Sequence, residues 1–182
     1  MELQVWEGRP ADASDRQERE VRVYDELDRL GIAYQRTDHE EALTMEDCVR
    51  IGEALGCKIC KNLFLANRQQ TDFYLLLMPG DKPFKTKELS PQLHTARLSF
   101  GTPQQMEEML DTLPGSASVL GLMNDPENRV QLVIDREVIR DEYIGCHPCK
   151  NTSSLRIRTT DILEAFLPAV HHEPVYVELK GV

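Results

Sequence analysis

The chain alternates between two spacings of apolar residues. Val21, Tyr24, Leu27 and Leu30 recur at helical spacing from Asp15 onward, and Gly31 supplies the stop. A short strand is expected over Ile32–Thr37. Thr44-Met45-Glu46-Asp47 has the form of a capping box, with Asp at the position usually held by Glu or Gln. The helix it opens carries Cys48, Ile51 and Leu55 on one face and ends at Gly56. Ile59–Ala66 and Phe73–Met78 are apolar runs separated by polar Asn67–Asp72, which reads as a hairpin. Lys82–Leu93 is basic and irregular, with a turn of helix near Leu89, and Leu98–Phe100 is a short strand. Thr102-Pro103-Gln104-Gln105 starts a helix with Met106, Met109, Leu110 and Leu113 on its apolar face. Val130–Ile134 predicts a buried strand, and Asp135 a cap for a short helix to Glu142. A loop is expected over Gly145–Thr152 and a strand over Leu155–Ile157. Asp161 then caps a helix through Leu167, and Val175–Leu179 closes the chain. Strands and helices interleave without a break or linker. The pattern predicts an N-terminal arm, 1–14, with Trp6 to dock it, and one α/β (α+β) domain, 15–182, with a mixed central sheet flanked by helices.

Composition narrows this picture. With 182 residues, 41% hydrophobic and 29% charged, the chain is long enough for a sizeable core and ordinary for a soluble domain. No apolar run approaches the roughly 20 residues of a membrane span, so no membrane partner is expected. The N-terminus does not read as a secretory signal, so a cytoplasmic location is the default expectation, with five reduced cysteines. Oligomeric state is left open.

Charge is distributed unevenly. The net value is −10, but residues 57–100 hold 7 Lys and Arg against 3 Asp and Glu. Residues 1–56 hold 7 against 15, and residues 101–182 hold 7 against 13. In the last segment Lys150, Arg156 and Arg158 cluster with no acid between them. An acidic body with a local basic patch can still take phosphates. Lys82, Lys85, Lys87, Arg156 and Arg158 are the candidate nucleic-acid contacts, against a reading of the first three as a solvated loop.

The basic stretches coincide with the one internal repeat. Cys57-Lys58-Ile59-Cys60-Lys61-Asn62 and Cys146-His147-Pro148-Cys149-Lys150-Asn151 both read C-x-x-C-K-N. Lys61 sits at the mouth of an apolar strand, where a cation can be aimed into a cleft. Two C-x-x-C pairs in a reducing compartment point to metal or redox chemistry. Cys57, Cys60, Cys146 and Cys149 could together hold a structural Zn²⁺ if the fold unites them.

Cys60-Lys61-Asn62-Leu63-Phe64-Leu65, the Phe73–Met78 strand, Val130–Asp135 and His147-Pro148…Asn151-Thr152, in this order, resemble the YbaK/prolyl-tRNA-synthetase-associated editing domain family, and within it the free-standing ProX (PrdX) branch. The resemblance spans Asp15 to Leu167. It implies a trans-editing deacylase that hydrolyses the ester of tRNA for proline mischarged with a smaller amino acid, most often alanine. It implies Lys61 and His147 as catalytic residues, and Asn62, Gly145, Pro148 and Asn151 as substrate-binding. The implied partners are the acceptor end of mischarged tRNA for proline and prolyl-tRNA synthetase. No cofactor is required for this chemistry, because an aminoacyl ester is already activated; substrate 2′-OH assistance is the implied alternative to a protein base. The four cysteines are not part of the family pattern. Two other readings stand beside this one: a non-catalytic tRNA-binding or regulatory module of the same fold, and a zinc or redox C-x-x-C protein.

Overall fold

The computed structural model describes residues 2–182. It confirms the mixed α/β architecture, with the strands divided over two sheets that meet at one seam. The first sheet is antiparallel and has four strands in the order β1 (Trp6–Glu7), β2 (Tyr34–Asp38), β8 (Ser153–Arg158) and β7 (Tyr143–Cys146). The second has five, in the order β5 (Ser99–Phe100), β3 (Cys60–Ala66), β4 (Phe73–Pro79), β6 (Val130–Asp135) and β9 (Val175–Val177). β3 pairs antiparallel with β4 and β5, whereas β4–β6 and β6–β9 are parallel.

β4 shows why its sequence signal is a run and not an alternation. Phe73, Leu75 and Leu77 enter the main core, while Leu76 and Met78 enter a second core on the opposite face. A strand covered on both faces has no polar side to show. The main core lies between the sheets and takes Val23, Tyr24 and Leu27 from α1 (Glu18–Arg29) and Met109 and Leu110 from α4 (Pro103–Leu110). The second core is closed by Leu89 of α3 (Thr86–Gln92), with Leu98, Val177 and Leu179. A third, small cluster packs Ile51 and Leu55 of α2 (Met45–Leu55) on Ile59. Both capping boxes read from the sequence form, Thr44 with Asp47 and Thr102 with Gln105.

Some elements differ from expectation. Part of the expected arm is tied down: Trp6 and Glu7 pair with Arg36 and Gln35, and the Arg36 guanidinium lies over the Trp6 ring. Tyr143–Cys146 is a strand where the sequence pattern predicts a short helix running into a loop. Asp135 does accept a bond from the Glu137 amide, but only a 3-10 turn, Val138–Arg140, follows. The last helical run, 159–169, begins at Thr159 instead of being capped by Asp161, and passes through a π-helical stretch, Ile162–Phe166.

The seam is where the two repeats meet. Ile59 forms a parallel bridge with Gly145, and the Gly145 amide donates to the Lys58 carbonyl at 3.1 Å. β7 thus lies against the outer edge of β3 at one end, and β5 takes the other end. Gly145 is required here by space: a Cβ would lie 2.6 Å from Ile59 Cδ1, 2.8 Å from Lys58 O and 3.0 Å from Cys57 Sγ. Gly145→Ala is therefore expected to destabilise the protein by about 1–3 kcal/mol, the usual cost of overpacking. Urea unfolding reads this as a lower midpoint at unchanged slope; an unchanged midpoint would mean that the seam is not tightly packed.

Candidate active site

β3 sets Lys61 and Asn62 on different faces. Side chains alternate along a strand. Phe64 and Ala66 enter the main core, and Leu63 and Leu65 the second. Lys61 shares the parity of Leu63 and Leu65, whereas Asn62 points to the side of the first sheet. Lys61 Nζ donates to the Lys82 carbonyl at 2.7 Å. Partial burial lowers its pKa, opposed by the charge of Asp81. Asn62 gives its amide only a long bond to Cys60 O, 3.4 Å, and its Oδ1 is buried without a partner. A buried carbonyl left unpaired is costly unless something else pairs with it.

His147 lies on the loop that carries β7 into β8. Its Nδ1 is 2.7 Å from Ser153 O, and a carbonyl can only accept, so Nδ1 carries the proton. Nε2 then holds a lone pair, and no hydrogen bond engages it among the described residues. Burial pulls His147 down to about 4, with the Ser153 carbonyl opposing and His39 adding to the fall. His39 is lowered too, first by its own burial. Its ring lies 6.0 Å from that of His147. His39 Nδ1 is 2.6 Å from Glu40 O, so its Nε2 accepts from the Ser154 hydroxyl at 2.9 Å. That same hydroxyl is 3.3 Å from His147 Nδ1. Two neutral imidazoles are thus held by one buried serine. The sequence reading missed His39 and Ser154: they are over a hundred residues apart in the chain, and no spacing links them.

The strand beneath is fixed by charge. Ser153 Oγ donates to Asp38 at 2.8 Å and to Thr37 O at 3.2 Å. Burial would raise Asp38, but Arg16, Arg36 and Ser153 outweigh it and hold the carboxyl at about 2. Asn151 lines a cavity of about 250 Å³ with Gly115, Ser116 and Lys150. It clamps Ala42, taking the Ala42 amide and donating to the Ala42 carbonyl, each at 3.2 Å. This ties the approach to α2 to the His147 loop. Pro148 is buried in that loop, and Gly145 serves the seam.

The other candidates separate. Lys82 is no free cation: its Nζ pairs with Asp135 at 2.7 Å and donates to Leu179 O at 2.7 Å. Arg156 stacks over Tyr143 with its guanidinium carbon 4.0 Å from the ring centroid, and Arg158 pairs with Glu142 at 3.1 Å. Both lie on β8 in the first sheet. Lys85 and Lys87 are exposed beside α3, beyond the second core.

The zinc expectation is not supported. Among the described residues no group of three or more His, Cys, Asp or Glu side chains converges to hold a metal. The repeat does bring the segments together, but Cys146 is buried in the main core, and Cys149 is buried toward Arg19 and Arg22 of α1. Burial pushes Cys57 up to about 11 and Cys60 and Cys149 up to about 12. Buried, protonated thiols are not ready nucleophiles, which weighs against the redox reading. A cavity of about 400 Å³ lies between α2 and Cys57–Ile59, reaching Gly80 and Asp81, but neither Lys61 nor His147 lines it.

The depressed histidines give a titration prediction. His147 is expected to titrate near pH 4 in imidazole NMR, well below the ~6.5 of an unfolded chain. Its folded pKa is depressed, so the unfolded state binds more protons at acid pH. Its contribution to stability is present above about 6.5 and is lost as the pH falls toward 4. A midpoint near 6.5 in the folded protein would show that His147 is solvated.

Comparison with known proteins places the chain in a family. The aminoacyl-tRNA editing domain family model matches residues 39–165. A Danio rerio protein, prolyl-tRNA synthetase associated domain-containing protein 1, is 32% identical over 151 residues, covering 82% of this chain and 81% of the relative. The prolyl-tRNA editing protein ProX of Acetoanaerobium sticklandii is 26% identical over 140 residues, covering 77% of this chain and 85% of that one. A crystal structure of a candidate trans-editing enzyme for prolyl tRNA synthetase superposes with a TM-score of 0.62 at 14% identity, over 90% of this chain and 99% of the other, which bears on the fold alone. Residues 39–165 hold both repeats, the seam and the His39–Ser154–His147 cluster, and by this match the chain belongs to the aminoacyl-tRNA editing domain family.

Proposed function

We propose that this chain is a trans-acting deacylase that hydrolyses the aminoacyl ester of mischarged tRNA for proline, with alanyl-tRNA for proline as its substrate. The observation that carries the chemistry is the state of His147. It is a neutral imidazole, with Nδ1 fixed by Ser153 O and Nε2 unengaged. Such a nitrogen can accept a proton from, or orient, a water or a substrate hydroxyl beside the ester. The ester carbon then takes the oxygen of water, and the tRNA 3′ or 2′ oxygen leaves with a proton. Asn62, with its buried unpaired Oδ1, is suited to hold the substrate's ammonium or a hydroxyl. Lys61, on the other face of β3, acts at longer range as a cation for the terminal phosphate. Arg16, Arg36 and Asp38 hold β2 and β8 and keep the imidazole in place.

The alanine reading rests on sieving. An editing site must spare the correct ester, and a small pocket admits alanine while excluding proline. Support for tRNA for proline comes from the Acetoanaerobium sticklandii relative, a prolyl-tRNA editing protein, and from the Danio rerio relative, a prolyl-tRNA synthetase associated domain-containing protein. Association with prolyl-tRNA synthetase is a proposal on the same footing.

The test is deacylation of a panel of mischarged tRNAs. Alanyl-tRNA for proline is expected to turn over fastest, and prolyl-tRNA to be spared. Lys61→Ala is expected to lose on the order of 10²–10³ in rate, as for removal of one charge-stabilising group. His147→Ala is expected to lose at least as much, with a flattened pH profile, because it removes the group that takes the proton. Near-wild-type turnover in Lys61→Ala would remove the lysine from the mechanism, and no turnover of any mischarged tRNA by wild type would overturn the function.

A further inference from the structure

We infer that the groove beside α3, formed by Lys85, Lys87 and Arg97 with Phe100 at its edge, is the surface that holds the tRNA backbone beyond its reacting end. This rests on the tRNA reading above and assigns it a surface. Residues 82–100 carry four Lys and Arg and a single acid, Glu88, within a chain of net charge −10. The fold engages Glu88 and Lys82 elsewhere. Glu88 turns its carboxylate to the Lys180 and Gly181 amides, at 2.7 and 2.9 Å. Lys82 turns inward to Asp135. Lys85, Lys87 and Arg97 are left exposed, and none of them enters an ion pair among the described residues. They line a groove of about 670 Å³ together with Phe84, Thr86, Ser90 and Pro91.

Three unpaired cations around one concave surface suit a run of phosphates, and the acidic remainder of the chain repels the same polyanion elsewhere. Phe100 adds a second, independent feature. It is 63% exposed on the edge strand β5, with Phe84 packed edge-on at 6.1 Å. An exposed ring beside cations is the arrangement on which an unpaired base stacks. The groove also lies on the side of the sheet where Lys61 emerges. Lys61 bonds the carbonyl of Lys82, three residues before Lys85. A strand of RNA seated here has its end led toward Lys61. Arg156 and Arg158, on the first sheet, are excluded from this surface by their place in the fold and by their own partners.

The test uses uncharged tRNA, so it does not depend on ester hydrolysis. Binding is measured against salt concentration for wild type and for Lys85→Gln/Lys87→Gln/Arg97→Gln. The triple variant is expected to bind about tenfold or more weakly at low salt, with a log–log salt slope shallower by about 2–3 units, since each phosphate left without its cation removes roughly 0.7–0.9 from the slope. Each single variant is expected to remove about one unit, which keeps the test in force if the triple variant folds poorly. Lys85→Arg/Lys87→Arg is expected to retain wild-type binding, and Phe100→Ala to weaken binding with little change of slope. An unchanged slope in the triple and single variants overturns the inference. So does binding of anionic phospholipid vesicles without binding of tRNA. Intact tRNA binding with no deacylation would instead overturn the function proposed above and leave the groove standing.

Discussion

Everything near the candidate site depends on one close approach, that of β7 to the residues leading into β3. The Gly145 amide reaches the Lys58 carbonyl because no side chain stands between them. Through this contact a four-stranded antiparallel sheet is joined to a five-stranded mixed one. Without it the two C-x-x-C-K-N segments would belong to separate sheets. With it, Asn62 faces toward the sheet that carries His147, and Lys61 emerges close to the seam on the other face.

The imidazoles are then set by a second constraint, the satisfaction of buried polar groups. Ser153 is almost wholly enclosed, so its hydroxyl and carbonyl must both find partners: Asp38 and Thr37 for one, His147 for the other. The arginines around Asp38 hold that carboxylate charged, and it in turn holds β8 against β2. Burial keeps both histidines neutral. The result is a base of low pKa, oriented before any substrate arrives. Such pre-organisation suits hydrolysis of an activated ester, where positioning contributes more than nucleophilic strength.

The candidate residues sort by what the tertiary structure asks of them. Gly145 and Asn151 hold the site together, one by its lack of a side chain and the other by its clamp on Ala42. Lys82 is a latch between the Lys61 neighbourhood and the C-terminal segment through Asp135 and Leu179. The cysteines follow the packing of the repeat, not a ligand field. They were suggestive because C-x-x-C is a strong local pattern, yet metal binding is a property of convergence in space, which a repeat cannot specify.

Much of the fold was legible in the chain. The spacing of Val21, Tyr24 and Leu27, the boxes at Thr44 and Thr102, and the apolar runs of β3, β4 and β6 each report a local preference or a buried face. These signals are short-range, so they survive without the rest of the molecule. The order of motifs also resembled the family whose model matches residues 39–165. What only the tertiary structure decided is long-range. It placed β7 on β3, gave Lys61 and Asn62 opposite faces by the two-residue period of a strand, and brought His39 to Ser154 across the β2–β8 pairing. It also separated the basic residues into paired and free. Each of these turns on which side chains share a buried or charged environment, and that depends on strand register and sheet order and not on any neighbouring residue in the chain.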